Sequence, residues 1–229
     1  MKKSLVVLVV LVVAAVVVAV EIWCAMYRVV PQPALLIKGP VNQYFYGSVE
    51  AEQSEGIPYW IWLVLPRVFP EYMPGVGGYA AFGLSWQEEK ELPVGFAKQR
   101  IGYIRVTGNC ALCHAQSSFY GDNPVPKIIS SVPGTATDIK PLLDFYRNCA
   151  ADPRFTAGDI LAEVGNATAL SFTDSLLYRY VLIPRARKQL LASRPELLFG
   201  PMIRDHLRDS KTRLPRQPLP KRVVVTQLE

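Results

Sequence analysis

Leu5 to Val20 is an unbroken run of Leu, Val and Ala behind Lys2 and Lys3. A helix with no polar face does not suit the surface of a soluble domain. Sixteen helical residues reach roughly 24 Å at 1.5 Å each, a little short of a ~30 Å hydrocarbon core. Ile22 to Met26 extend the run, interrupted only by Glu21. Trp23 and Tyr27 then fall where an outer interface favours amphipathic rings, and Lys2 and Lys3 stay on the cytoplasmic side. Residues 1–28 are therefore expected to be an N-terminal transmembrane anchor or a signal segment. A cleaved signal peptide has the same charged start and apolar middle. Val17 and Ala19 make a weak small-x-small site, which favours an anchor that is kept. On either reading the chain after about Arg28 is exported.

Composition narrows the remainder. Half the residues are hydrophobic and 19% are charged, too apolar for a disordered chain. The length of 229 residues suits one domain with a tail. The formal charge of +6 has a local origin. Residues 201–229 hold seven basic and three acidic side chains, and Lys2 and Lys3 supply the rest. The body between is neutral, so no nucleic-acid-binding face is implied. The chain divides into residues 1–28, a domain over residues 29–200, and a basic Pro/Arg-rich tail over residues 201–229 whose composition predicts disorder.

Chemistry concentrates in Asn109-Cys110-Ala111-Leu112-Cys113-His114. The C-x-x-C-H spacing reads as attachment of one c-type haem. Two thiols three positions apart share one face of a helical turn, where each can add to a haem vinyl group as a thioether. His114 follows as proximal axial ligand to the iron. The chain has four Cys and two His, and three of these six lie within this five-residue window. A zinc site would need two further ligands, and outside the N-terminal apolar segment, which holds Cys24, only the isolated Cys149 and His206 remain among the chain's Cys and His. A dithiol redox pair would need flanking βαβ units that are not evident. Cys149 is either a buried thiol or a bridge to another chain. Export and haem attachment agree, because covalent haem insertion in bacteria takes place outside the cytoplasmic membrane.

The surrounding sequence predicts a mainly α, cytochrome c-like helical haem domain with long loops. Gly102 to Thr107 reads as an extended approach, and Asn109 as a cap for the haem turn. Gln116 to Phe119 is expected to close that short helix, with residues 122–136 as loop. Helices are expected from Thr137 to about Ala151, from a Thr156 cap to about Val164, and from near Thr173, with Pro184 kinking or restarting the last. The aromatic stretch Tyr59 to Pro70 reads as a buried helix or strand, or alternatively as a haem-edge or partner contact. Arg67, Arg100 and Arg105 are candidate haem-propionate contacts and, equally, surface ion pairs. Met73, Met202 and His206 are the candidates for the second axial position; an open distal position is the alternative.

Tyr46-Gly47-Ser48, Gly56-Ile57-Pro58-Tyr59-Trp60, Leu65-Pro66-Arg67-Val68-Phe69-Pro70, Leu92-Pro93-Val94-Gly95-Phe96 and the C-x-x-C-H segment together resemble membrane-anchored bacterial cytochromes c of the rubber-oxygenase-like family. The resemblance covers about residues 44–195. It implies a periplasmic haem protein with thioethers at Cys110 and Cys113 and His114 on the iron. In rubber oxygenases the haem behind such a lead-in is the one that activates oxygen.

The expected function is single-electron relay by a mono-haem c-type cytochrome, anchored by a single pass in the bacterial inner membrane with its haem domain in the periplasm. Its partners are then the lipid bilayer and redox proteins, or a membrane complex. The alternatives are a haem-dependent oxygenase or peroxidase with an open distal site, and a haem-carrying subunit of a larger complex with residues 57–70 as its docking surface.

Overall fold

The N-terminal run forms one continuous helix, α1 (Lys2–Tyr27), which passes through Glu21 without a break. Its apolar part, Leu5–Cys24, has a mean hydropathy of 3.3 over 20 residues. Twenty residues rise about 30 Å, the thickness of a hydrocarbon core. The helix is long and apolar enough to be a single membrane span, and a signal sequence has the same character. The computed structural model describes residues 2–32, 37–49, 56–87, 90–118, 127–130, 137 and 139–192.

Beyond α1 come β1 (Val29–Val30), α2 (Pro40–Tyr46), β2 (Ile57–Pro58) and α3 (Tyr59–Val68). Two short 3-10 turns follow at Pro70–Tyr72 and Gly78–Phe82. Then come β3 (Phe96–Ile101), β4 (Tyr103–Gly108), α4 (Ala111–His114), β5 (Ala115–Ser118) and β6 (Lys127–Ser130). The C-terminal part is helical, with α5 (Ile139–Ala151), α6 (Ala157–Ala167), α7 (Phe172–Leu177), a π-helical turn at Tyr178–Leu182, and α8 (Ile183–Leu191).

Helix dominates, as expected, but the architecture also contains antiparallel sheets that the sequence reading left out. Strands run β1-β3-β4-β2 in a four-stranded sheet, and β5 pairs with β6. The β3–β4 hairpin is its spine, in register from Phe96 opposite Gly108 to Ile101 opposite Tyr103. Gly102 makes the reversal at φ +68°, a backbone conformation that other residues adopt at a cost. The extended approach expected for Gly102 to Thr107 is therefore one arm of a hairpin.

Two local expectations are corrected. Gln116 to Ser118, expected with Phe119 to close the short C-x-x-C-H helix, belong instead to β5, and Ala115 faces Ser130 across the small sheet; Phe119 lies outside the described residues. Residues 127–130, expected as loop, form the partner strand β6. Lys127-Ile128-Ile129-Ser130 is short and shows no alternation of polar and apolar residues, so nothing announces a strand without its partner.

The main core lies between the sheet and the helices. Trp62 stacks on Tyr79 with centroids 4.2 Å apart and planes 4° from parallel, and donates through Nε1 to the Tyr146 hydroxyl at 3.1 Å. Ile61, Val64 and Leu65 are fully buried on α3. The Tyr59 to Pro70 stretch is thus mostly a core helix. Cys149 is buried on α5 in the same cluster, and burial pushes its thiol well above the ordinary range. The buried-thiol reading of Cys149 is the one the fold supports.

The C-terminal helices start and stop for local reasons. Thr156 accepts from the Asp159 amide and caps α6 as expected. Helix α5 ends at Ala151, just before Asp152-Pro153. The Thr137 hydroxyl donates to the Gly83 carbonyl at 3.3 Å. Ser171 caps α7 by accepting from the Asp174 amide. Pro184 falls in the first turn of α8, directly after the π turn, in keeping with the restart expected there. A π turn adds one residue to the helical phase, so Tyr178, Leu182, Ile183, Ala186 and Leu190 all face the core.

Candidate functional site

The C-x-x-C-H turn sits at the open end of the β3–β4 hairpin, where Gly108 leads through Asn109 into α4. Its base is fixed by main-chain bonds. The Asn109 amide donates to the Gly95 carbonyl at 2.8 Å, and the Gly95 amide to the Phe45 carbonyl at 3.0 Å. Asn109 is buried, and its side chain is saturated. Its Nδ2 donates to the carbonyls of Phe45 (3.2 Å) and Gly47 (3.1 Å), and its Oδ1 accepts from the Ala111 amide (2.9 Å). Cys110 rather than the expected Asn109 holds the N-cap position of α4; Asn109 instead braces the turn one residue earlier through its Ala111 bond and staples α2 to it.

Gly95 is the second fixed point. It has φ +91°, and a Cβ built there would lie 2.3 Å from both N and Cα of Leu112. The Leu112 backbone therefore rests directly on the Leu-Pro-Val-Gly-Phe segment. Tyr44 completes the clamp by donating from its hydroxyl to the His114 carbonyl at 3.1 Å.

These contacts divide the turn into two faces. Ala111, Leu112 and Ala115 are buried, Ala111 and Ala115 against Phe45, Tyr46 and Val94. Cys110 and His114 are exposed, and Cys113 lies between the two classes. Burial raises the Cys113 thiol above its ordinary value, and the neighbouring Cys110 adds to the rise. Cys113 therefore stays protonated near neutrality and weakly nucleophilic toward adventitious partners.

This donor set fits a covalently attached haem. Both thiols lie on one turn, the imidazole follows immediately, and the buried contacts hold the backbone without using Cys110 or the His114 ring. The same residues fit zinc poorly. No cluster of three or more His, Cys, Asp or Glu occurs among the described residues, and Cys149 is committed to the core.

The other candidate residues have neighbours of their own. Arg67 pairs through Nε with Glu163 of α6 at 2.6 Å, which is the ion-pair alternative. Arg105 is buried, donates from Nη2 to the Met26 carbonyl at 3.0 Å, and lies over the Tyr103 ring. Arg100 is exposed on β3, opposite Val30. Met73 follows the Pro70–Tyr72 turn, whose neighbours are α3 and α5; that turn is tied down by a Tyr72 hydroxyl bond to Asp152 at 2.9 Å. Met202 and His206 lie outside the described residues, as does the tail over 201–229.

Tyr44 and the double role of Asn109 were not legible beforehand. Both act on main-chain carbonyls far away in sequence, and such contacts leave no spacing pattern. Comparison with protein-family models, with curated proteins and with solved structures finds no match.

Proposed function

We propose that this chain is a membrane-anchored mono-haem c-type cytochrome that relays single electrons. Cys110 and Cys113 would hold the haem through thioethers, and His114 would be the proximal ligand. The observation that carries this reading is the two-faced turn. Its apolar residues are spent on the protein and Cys113 lies half-buried at the edge of the core, while the imidazole and Cys110 stay exposed. When bound, haem iron supplies the one-electron chemistry; the protein contributes position, ligation and shielding from water.

Each half of the turn has a task. Cys110 and Cys113 would each add S–H across a vinyl carbon–carbon double bond, sulfur to one carbon and hydrogen to the other, with no external oxidant. The Gly95 and Asn109 contacts would hold the backbone that carries both thiols. The fit of Gly95 beneath Leu112 also gives the Leu92 to Phe96 lead-in a physical role.

An uncleaved anchor fits better than a removed signal. Met26 is buried in the main core, its carbonyl accepts from Arg105, and the Gly102 amide donates to the Arg28 carbonyl at 2.7 Å. Cleavage within α1 before Met26 would leave that residue as a frayed end. Lys2 and Lys3 favour a cytoplasmic N-terminus, with the haem domain in the periplasm of a bacterial inner membrane. Redox partners, soluble or in a membrane complex, would then be met close to the lipid surface.

The test is an intact mass and a pyridine haemochrome spectrum on the denatured full chain. The expected result is the mass of one haem retained covalently, with single-thioether haem in Cys110→Ala. A colourless polypeptide at the bare mass would overturn the reading. Carbon monoxide then separates relay from oxygen chemistry: weak perturbation of the reduced bands supports electron transfer, and a strong shift favours an oxygenase- or peroxidase-like site.

A further inference from the structure

The continuous rod formed by α7, the π turn and α8 carries an unusual outward face. Phe172 is 79% exposed, Tyr180 71% and Leu176 39%. They recur every four residues and so share one side of the helix. Val181 is exposed beside them. The opposite side buries Tyr178, Leu182, Ile183, Ala186 and Leu190 in the core. From Phe172 to Val181 both faces of the rod are therefore rich in apolar residues, whereas a surface helix ordinarily turns charged and polar residues outward, as α8 does with Arg185 and Lys188.

The charges on the rod have one sign. From Ser175 to Ala192 there is no Asp or Glu, and the stretch contains Arg179, Arg185, Arg187 and Lys188. Arg187 turns inward, donating from Nε to the Ala150 carbonyl at 2.9 Å. Arg179, Arg185 and Lys188 are exposed. Asp174, in the first turn, is engaged with the Ser171 cap. Aromatic and aliphatic side chains with flanking basic residues are the composition of helices that lie in a lipid interface.

The position of the rod matches that composition. The β3–β4 hairpin tip at Tyr103 packs where α1 ends, and Met26, Tyr103, Tyr178 and Ile183 belong to one buried cluster. Burial raises the Tyr103 hydroxyl above its ordinary value; the Arg105 and Arg185 guanidinium groups oppose the rise, and Tyr27 of α1 adds to it. The middle of the rod therefore lies beside the point where α1 leaves its apolar span. Trp23 and Tyr27 at that point are exposed, as are Val29 and Val30 in the strand that follows.

We propose that the outward face of the Phe172–Leu191 rod rests on the bilayer surface as an interfacial helix, with Phe172, Leu176 and Tyr180 among the acyl-chain ends and Arg179, Arg185 and Lys188 on anionic headgroups. This rests on α1 spanning the bilayer. The domain then has two membrane contacts, a span and a surface helix, which fix its tilt. A single span would leave it free to swivel about the helix axis. With the tilt fixed, the C-x-x-C-H turn is presented at one height above the lipid.

The test is photocrosslinking of the full chain in nanodiscs of phosphatidylglycerol and phosphatidylcholine. The photoreactive residue p-benzoylphenylalanine replaces Phe172 or Tyr180 in turn, Val12 inside α1 as positive control, and Val76, which is fully exposed and lies outside the rod, as background. Lipid adducts at 172 and 180 several-fold above those at 76 are expected, with a several-fold drop when phosphatidylglycerol is omitted or when Arg185→Glu and Lys188→Glu are combined. Adducts at 12 with only background at 172 and 180 would overturn the inference and leave the anchor standing. Background at 12 would remove the anchor and the inference together. Crosslinks from 172 or 180 to a second copy of the chain would show that protein, not lipid, covers this face.

Discussion

Two residues that carry no haem-binding atom hold the candidate site. Gly95 occupies a left-handed backbone conformation with the Leu112 main chain against it. Gly95→Ala adds both a φ penalty and a steric clash with backbone atoms that cannot swing away. The expected cost is about 2–5 kcal/mol, combining the left-handed penalty with overpacking. Chemical denaturation would read the loss, and covalent haem yield should fall with it. A variant within error of wild type in stability would show that Leu112 does not rest on Gly95. Asn109 acts differently, through three hydrogen bonds from one buried amide. Although Cys110 holds the cap position, a local role for Asn109 beside the turn was visible from its place in the sequence. Its grip on the Phe45 and Gly47 carbonyls was not, because those carbonyls arrive from a helix more than sixty positions away.

At the scale of elements, the C-terminal rod depends on its π turn. The turn lets residues on both sides of Tyr178–Leu182 face the same core, although Pro184 cannot donate an amide hydrogen bond. Inserting one alanine after Val181 gives the turn a second extra residue that it has no room for, and rotates everything after it by about 100° relative to the first half. Ile183, Ala186 and Leu190 would then leave the core. The expected outcome is loss of the α5–α8 packing, seen as a lower melting temperature and faster amide exchange over residues 183–191. The conservative Val181→Ala, at an exposed position, should change stability by no more than about 0.5 kcal/mol. If the insertion is as stable as the substitution, the register beyond the π turn does not matter to the core. Helix α6 with its Thr156 cap was legible from local sequence, as was the end of α5 before Asp152-Pro153, because caps and prolines act within one turn. Strand β3 was not. Phe96 to Ile101 contains Lys98, Gln99 and Arg100, and becomes a strand because β1 and β4 flank it.

At the scale of the whole molecule, α1 and the domain form one connected body. The chain passes from Tyr27 into β1 by way of Arg28 alone, and β1 pairs with β3. Buried Met26 and the Arg105 bond to its carbonyl then lock the helix end to the sheet. A cation at a helix C-terminus is also favoured by the helix dipole. The protein isolated from membranes should therefore retain residues before Met26, read by intact mass, and should resist extraction by alkaline carbonate. A mature N-terminus after Ala19 or Ala25 would contradict this. Arg105→Ala should weaken the junction and lower the melting temperature, since the Met26 carbonyl would lose a charged donor and the Tyr103 ring its cation.

Sequence alone determined the features that depend on composition or on contacts within a turn: the apolar length of α1, the order Cys110, Cys113, His114, the capped start of α6 and the end of α5. Tertiary structure decided which side of the C-x-x-C-H turn is buried, that a β-hairpin delivers it, that Arg105 serves the end of α1, and that Arg67 is paired with Glu163. The physical reason is range. Helical periodicity and caps are settled within a few residues, whereas a strand's partner, a carbonyl's donor and an arginine's counterion are chosen by whatever distant chain the fold brings alongside.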